Sequence, residues 1–112
     1  MTWALLIYTN ETESNPELLA DHKALQHDLV EGDALHLSAR LHDRSEVVES
    51  WRVTSNSQEE LTTDLPYLET REWLVGFYVV EGSKEDAIQA AKRICPSQGH
   101  IDVKPIVWMK KT

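Results

Sequence analysis

An almost wholly apolar segment, residues 73–80, limits the fold more than any other part of this chain. It reads WLVGFYVV, with β-branched or aromatic side chains at most positions. An edge strand rarely carries such side chains on both faces, so we predict that this strand lies at the centre of a sheet. The turn signal Asp-Leu-Pro at residues 64–66 precedes it and is expected to hold an acidic side chain at the mouth of that sheet.

Two amphipathic segments predict helices. Apolar residues recur at helical spacing over Pro16–Glu31, with Asn15 as candidate N-cap and Gly32 just past the end. A second helix is predicted to begin near Ser83, where the sequence SKED fits a capping box, and to stop before Pro96.

The remaining apolar or alternating segments predict strands at residues 3–8, 35–41, 47–54 and 101–109. We expect the second and third of these to form a hairpin through a turn at residues 42–45. The polar residues 55–60 are predicted to form an exposed loop. The resulting order, β-α-β-β-β-α-β, predicts an α+β fold, a ferredoxin-like split βαβ sheet with two helices on one face.

Composition narrows the classes of partner. The 112 residues fit a single domain, residues 1–112, and the net charge of -8 disfavours binding to nucleic acid or an anionic membrane. Cys95 is the one cysteine, which is typical of a reducing compartment. No apolar run approaches the length of a membrane span, so we expect a cytoplasmic protein.

Three neighbouring motifs carry a family resemblance. Residues 64–67 read DLPY, residues 69–72 read ETRE and residues 76–78 read GFY. Together they resemble the Asp-Gly-Pro-Phe turn, Glu-Thr-Lys-Glu connector and Gly-Phe-Tyr strand of the YCII-related, or DGPF-domain, family of small bacterial proteins. Leu65 stands where the family has a glycine, which removes the residue that reaches positive φ without steric cost.

The resemblance implies a homodimer of the dimeric α+β barrel type, in which two ferredoxin-like sheets pack face to face. The same expectation follows from a sheet with helices on one face, because the other face needs cover. Trp51, Trp73 and Trp108 are candidates for this interface; the alternative places them in the core of the monomer.

His22 is the first candidate for chemistry. It shares the apolar line of the first helix with Leu18, Leu25 and Leu29, so it should point towards the sheet, either as a hydrogen-bonded core histidine or as a catalytic one. The resemblance implies a histidine near the start of this helix that works with an acidic residue. Asp64 is the predicted partner, because a carboxylate on one ring nitrogen leaves the other free as acid or base; alternatively, Asp64 only caps its turn.

Four other polar side chains are candidates for substrate binding near the same mouth. Glu69 and Arg71 are placed to orient an anionic or carbonyl-bearing ligand, or else they form a surface ion pair. Tyr67 and Tyr8 offer hydroxyl groups, or else their rings only pack.

We predict neither a metal site nor a bound cofactor. The five histidines form no HxxxH or HExxH pair, and the four glycines form no phosphate-binding loop. Two functions remain open: a small cofactor-independent enzyme that uses a His22/Asp64 pair for proton transfer on a small organic molecule, or a non-catalytic dimeric module that binds a metabolite or another protein. A structural dimer without a ligand is the third alternative.

Overall fold

The computed structural model of the chain describes residues 1–10, 15–41, 51–60 and 72–111. Two helices lie on one face of a four-stranded antiparallel sheet, and two short strands form a separate ribbon. The elements are β1 (Thr2–Thr9), α1 (Pro16–Glu31), β2 (Leu35–Arg40), β3 (Trp51–Val53), β4 (Gln58–Glu60), β5 (Trp73–Glu81), α2 (Lys84–Ile94) and β6 (Gly99–Pro105).

The large sheet has the strand order β2-β5-β1-β6, and each pair of neighbours is antiparallel. This is the order of a ferredoxin-like split βαβ sheet, so the predicted α+β fold class is confirmed. The apolar strand β5 lies between β1 and β2, which confirms its predicted central place. Tyr78 and Val80 point from β5 into the helix-covered core, whereas Phe77 and Val79 point to the opposite face.

Both helices begin where their capping residues predict. The Asn15 side chain accepts hydrogen bonds from the backbone N–H groups of Glu17 and Leu18, at 3.0 and 3.2 Å. Ser83 and Asp86 form a reciprocal capping box at the start of α2. These bonds satisfy donors that the first turn of a helix leaves without partners.

The hydrophobic core lies between the helices and one face of β1 and β5. Leu5, Leu25, Tyr78 and Ile94 are almost completely buried there. Helix α2 contributes mainly alanines, and α1 contributes one fully buried leucine together with the partly buried Leu29. Burial of this apolar surface is the main term that stabilises the domain.

The predicted hairpin between the second and third strands is wrong. Strand β2 pairs with β5, and Trp51–Val53 pairs with Gln58–Glu60 in the separate ribbon. The expected loop at residues 55–60 therefore contains β4, which a turn closed by Thr54 and Ser57 makes possible. The predicted turn at residues 42–45 and the residues 47–50 lie outside the described part of the chain.

The last strand is shorter than predicted because its partner ends. Trp3 is opposite Pro105, and the N–H of Ile106 donates to the carbonyl oxygen of Thr2, at the first residue of β1. Residues 107–109 therefore have no neighbouring strand to pair with in the described part of the chain, and Val107 and Trp108 are exposed. In the described ranges, neither helix is long and apolar enough to cross a membrane.

The tryptophans divide differently from expectation. Trp51 and Trp108 are 49% and 78% exposed, so the alternative that places them in the monomer core is wrong. Trp73 is partly buried on β5, and its Nε1 is buried with no hydrogen-bond partner among the residues described. Trp3 fills the core instead, where its Nε1 donates to the carbonyl oxygen of Gly82 at 3.1 Å.

An ionic cluster joins both ends of the chain to the sheet. The Glu81 carboxylate accepts from Thr2 and His36 at 2.9 Å each and pairs with the amino group of Met1 at 2.6 Å. Lys111 approaches the other ring nitrogen of His36 at 3.1 Å. The bond from His36, followed by those from the N-terminus and Thr2, lowers the pKa of Glu81 to about 2.

Candidate functional site

A cavity of about 420 Å³ opens between α1 and the sheet. Helix α1 forms one wall, and β2, β5 and the end of β1 form the other. The lining residues are Ile7, Thr9, Asn15, Leu18, Leu19, His22, Gln26, Ser38, Ala39, Arg40, Leu41, Val75, Gly76, Tyr78 and Pro96. An apolar wall with a few convergent polar groups is typical of a small-molecule site.

Gly76 allows two strands to come close together at this cavity. A Cβ atom at this position would lie 2.8 Å from the backbone oxygen of Ala39 on β2. A larger side chain would push β2 away from β5, and the cavity wall between them would move.

His22 lines the cavity from the sheet-facing side of α1, as its position on the apolar line predicts. Its Nδ1 atom lies 2.7 Å from the hydroxyl oxygen of Tyr78 on β5. The two rings are stacked, with centroids 5.7 Å apart and an angle of 24° between their planes. His22 is therefore hydrogen-bonded, as a core histidine would be, and it also lies at the cavity surface, as a catalytic histidine would.

Gln26 extends this contact into a chain of polar groups. It lies one helical turn after His22, and its Nε2 donates to the Tyr78 hydroxyl at 3.0 Å and to Ser38 Oγ at 3.4 Å. Tyr78 is only 2% exposed, so its hydroxyl depends on these protein partners. The Nε2 atom of His22 makes no hydrogen bond to any residue that the structure describes.

Burial determines the charge of the imidazole. Removal of the His22 ring from water lowers its pKa below the ordinary value, and the nearby negative charge of Asp21 opposes this shift. His22 is therefore predominantly neutral at pH 7, and a neutral imidazole has one ring nitrogen that donates and one that accepts.

The other predicted site residues are not brought to His22 in the described ranges. Asp64, Tyr67, Glu69 and Arg71 lie outside those ranges. Tyr8 alternates with the core residues of β1, so its side chain is on the opposite face of the sheet, where it stacks on His100 with centroids 5.0 Å apart.

Three members of the polar chain, Tyr78, Gln26 and Ser38, were not predicted from the sequence, and two of them carried a signal. In the sequence Tyr78 stands out only as part of the Gly-Phe-Tyr strand signature, although a tyrosine in a buried strand needs a partner for its hydroxyl. Gln26 lies four residues after His22, and this spacing places both side chains on the same side of α1. The two signals together pointed to a polar contact inside the fold.

The face of the sheet away from the helices, here called the open face, has an apolar centre. Leu37 is 50% exposed there, and Phe77 and Val79 lie outside the core cluster. On β6, His100, Asp102 and Lys104 point to this same face. His100 Nδ1 lies 2.5 Å from the carboxylate of Glu72, and Asp102 and Lys104 bring both signs of charge to the border of the apolar centre. The full set comprises Ala4, Leu6, Tyr8, Leu37, Ala39, Leu74, Phe77, Val79, His100, Asp102 and Lys104.

Comparison with known proteins agrees with the fold and with the sequence motifs. The profile of the YCII-related domain matches residues 1–110 of this chain. An uncharacterised protein of Rhizobium meliloti (strain 1021) is 28% identical over 121 aligned positions, which cover 98% of this chain and 95% of that protein. The similarity therefore extends over nearly the whole of both chains.

Proposed function

This chain belongs to the YCII-related family, and on that premise we propose that it is a small enzyme that uses His22 together with Asp64 for proton transfer on a small organic molecule. The observation that carries the proposal is the position of His22: a partly buried, neutral imidazole that lines a cavity of about 420 Å³. One of its ring nitrogens is held by Tyr78, and the other has no partner among the described residues. The reaction we propose needs no bound cofactor.

The contact with Tyr78 supports this role because a proton-transfer group must be held in one orientation. Tyr78 occupies Nδ1 and so supplies the orientation that the sequence analysis assigned to Asp64. In this proposal the Asp64 carboxylate is the base that takes the proton from the ligand, while His22 holds the ligand's oxygen. Glu69, Arg71 and Tyr67 are proposed to help bind the ligand there.

The proposal is tested by hydrogen exchange into candidate ligands. The full-length protein in D₂O is mixed with a panel of small keto acids and aromatic carbonyl compounds, and loss of their acidic C–H signals is followed by proton NMR. We expect catalysed exchange of at least one compound, abolished by Asp64→Asn and also lost in His22→Gln, which cannot hold the ligand's oxygen in the same way. The control is His27→Gln, because His27 is an exposed residue of the same helix. Exchange that persists in His22→Gln would refute the proposal.

A non-catalytic module that binds a metabolite is the second candidate. The hydrogen bond to the almost fully buried Tyr78 favours it, because a held, neutral His22 also suits plain ligand recognition. A compound that binds in the cavity of the wild type without any catalysed exchange, and binds more weakly to His22→Gln, would favour this function over the enzyme.

We also propose that a second copy of the chain covers the open face in a homodimer. Its exposed apolar centre supports this, as does the presence of both Asp102 and Lys104 on one strand, since a two-fold axis that passes between them brings Asp102 of one protomer to Lys104 of its partner. Sedimentation equilibrium should give twice the chain mass for the wild type and a monomer for Leu37→Arg. Val53→Arg, on the exposed ribbon, is the control and should remain dimeric. A monomeric wild type would contradict this part.

We also propose that the protein is cytoplasmic, because a single cysteine, Cys95, is typical of a reducing compartment.

A further inference from the structure

We infer that Tyr78 and Gln26 fix the tautomer of His22 with its proton on Nε2, so that the cavity binds its ligand through a carbonyl or carboxylate oxygen. The ligand class rests on the proposed function in so far as the cavity is a ligand site. The tautomer does not, because it follows from contacts within the protein.

The tautomer follows from counting hydrogens along the polar chain. The Tyr78 hydroxyl has one hydrogen and two positions for accepting. The Nε2 atom of Gln26 is only a donor, so the hydroxyl accepts from it at 3.0 Å. The hydroxyl hydrogen then goes to its other described partner, His22 Nδ1, at 2.7 Å. Because Nδ1 accepts, the hydrogen of the neutral ring is on Nε2.

The side-chain amide of Gln26 is the element that selects this state. If the amide turned by half a revolution, its oxygen would face Tyr78, the hydroxyl would donate to Gln26, and Nδ1 would keep the ring hydrogen. His22 Nε2 would then accept a hydrogen bond instead of donating one. Gln26 and Tyr78 are therefore positioning residues that decide whether His22 presents a donor or an acceptor to the cavity.

The surroundings of His22 agree with a ligand that presents an acceptor oxygen. None of the described residues that line the cavity is acidic, although the chain as a whole carries a net charge of -8. Leu18, Leu19 and Val75 offer an apolar wall for the body of such a ligand. A neutral imidazole N–H in a partly dry cavity is a suitable donor to a carbonyl or carboxylate oxygen.

The tautomer is tested without any ligand. Long-range proton–nitrogen correlation spectra of the full-length protein at pH 8 identify which ring nitrogen of His22 carries the hydrogen. We expect Nε2–H in the wild type and Nδ1–H in Gln26→Glu, because a carboxylate only accepts and turns the Tyr78 hydroxyl towards itself. Tyr78→Phe should give a mixture of tautomers. His27 is the internal control and should not change in any variant.

The ligand class is tested with benzoate and benzamidinium, two planar probes of matched shape with opposite hydrogen-bonding groups. Benzoate should shift the His22 Nε2 resonance of the wild type and bind about tenfold more weakly to Tyr78→Phe. Benzamidinium should leave Nε2 unshifted. A wild-type His22 with its hydrogen on Nδ1 would overturn the tautomer. If benzamidinium shifts Nε2 more than benzoate does, or if neither probe shifts it, the ligand class is wrong even where catalysed proton exchange is found.

Discussion

At the scale of single residues, Tyr78 joins the core to the candidate site. Its ring is buried between the helices and the sheet, and its hydroxyl connects His22 to Gln26. The sequence predicted the direction of His22, because that follows from the local helical period. It did not predict the contact with Tyr78, because that contact depends on how α1 lies across β5, which no local pattern encodes.

Gly76 gives the first prediction. Gly76→Ala should destabilise the protein by about 1–3 kcal/mol, because the new methyl group would lie against the backbone of β2, which cannot move as a flexible side chain does. Urea denaturation followed by circular dichroism measures the change in the free energy of unfolding. The matched control is Gly32→Ala, whose Cβ would make an ordinary contact at 3.5 Å and whose φ is -85°. Equal stability of the two variants would contradict the prediction.

At the scale of elements, local signals predicted the helices and the central strand. The capping sequences around Asn15 and Ser83 mark where α1 and α2 begin. The pairing of the third strand was wrong, because alternation indicates a strand and does not choose its partner. Trp51–Val53 pairs with the strand that follows it in the chain, and the polar side chains of Gln58–Glu60 gave no periodic signal for that strand.

The cap of α1 gives the second prediction. Asn15→Ala should lower the free energy of unfolding by roughly 1 kcal/mol, because the N–H groups of Glu17 and Leu18 lose their acceptor. Asn15→Asp is the control, since it keeps an acceptor oxygen and adds a charge that suits a helix N-terminus. Thermal denaturation of the three proteins should rank the alanine variant lowest. The reverse order would mean that this cap contributes nothing to stability.

At the scale of the whole molecule, the ionic cluster on Glu81 ties together parts that are far apart in the sequence. It joins Met1, which precedes β1, and His36 on the edge strand β2, and Lys111 reaches it through His36. Sequence patterns cannot predict such a cluster, because each member is an ordinary surface residue until the sheet order is known.

The cluster gives the third prediction, which concerns pH. The pKa of Glu81 is lowered to about 2 in the folded protein, so the folded state binds its proton less readily than the unfolded state does. The stabilisation by the ionised Glu81 carboxylate is therefore complete at pH values above the ordinary pKa of a glutamate, about 4.3. It is lost as the pH falls towards the folded-state pKa of about 2.

Glu81→Gln should accordingly have a lower melting temperature than the wild type at pH 7. The difference should shrink between pH 4.5 and pH 2, at about the range over which an unfolded carboxyl group and then the folded Glu81 take up protons. Glu59→Gln, on the exposed strand β4, should match the wild type throughout. A difference between Glu81→Gln and the wild type that does not depend on pH would show that the charge of Glu81 is not the cause.

The open face and the cavity lie on opposite sides of the same sheet, so the proposed assembly and the proposed ligand binding use different surfaces. Leu37 and Phe77 face the proposed second copy, whereas Ser38 and Tyr78, their neighbours along β2 and β5, face the cavity. Alternation along the paired residues 37–39 and 77–79 separates most residues of the two surfaces. A variant of the open face such as Leu37→Arg therefore serves to test assembly without changing a residue of the His22 site.

The most direct test of the His22 site is an NMR titration of its imidazole ring in the full-length protein. Because burial lowers the pKa of His22, we predict a titration midpoint below the ordinary value of about 6.5. Tyr78→Phe should change that midpoint, since it removes the hydrogen bond to Nδ1, and Asp64→Asn reports whether Asp64 takes part. A wild-type midpoint at or above about 6.5 that is unaffected by Tyr78→Phe would mean that His22 is not the buried, tyrosine-bound group on which the proposed proton transfer depends.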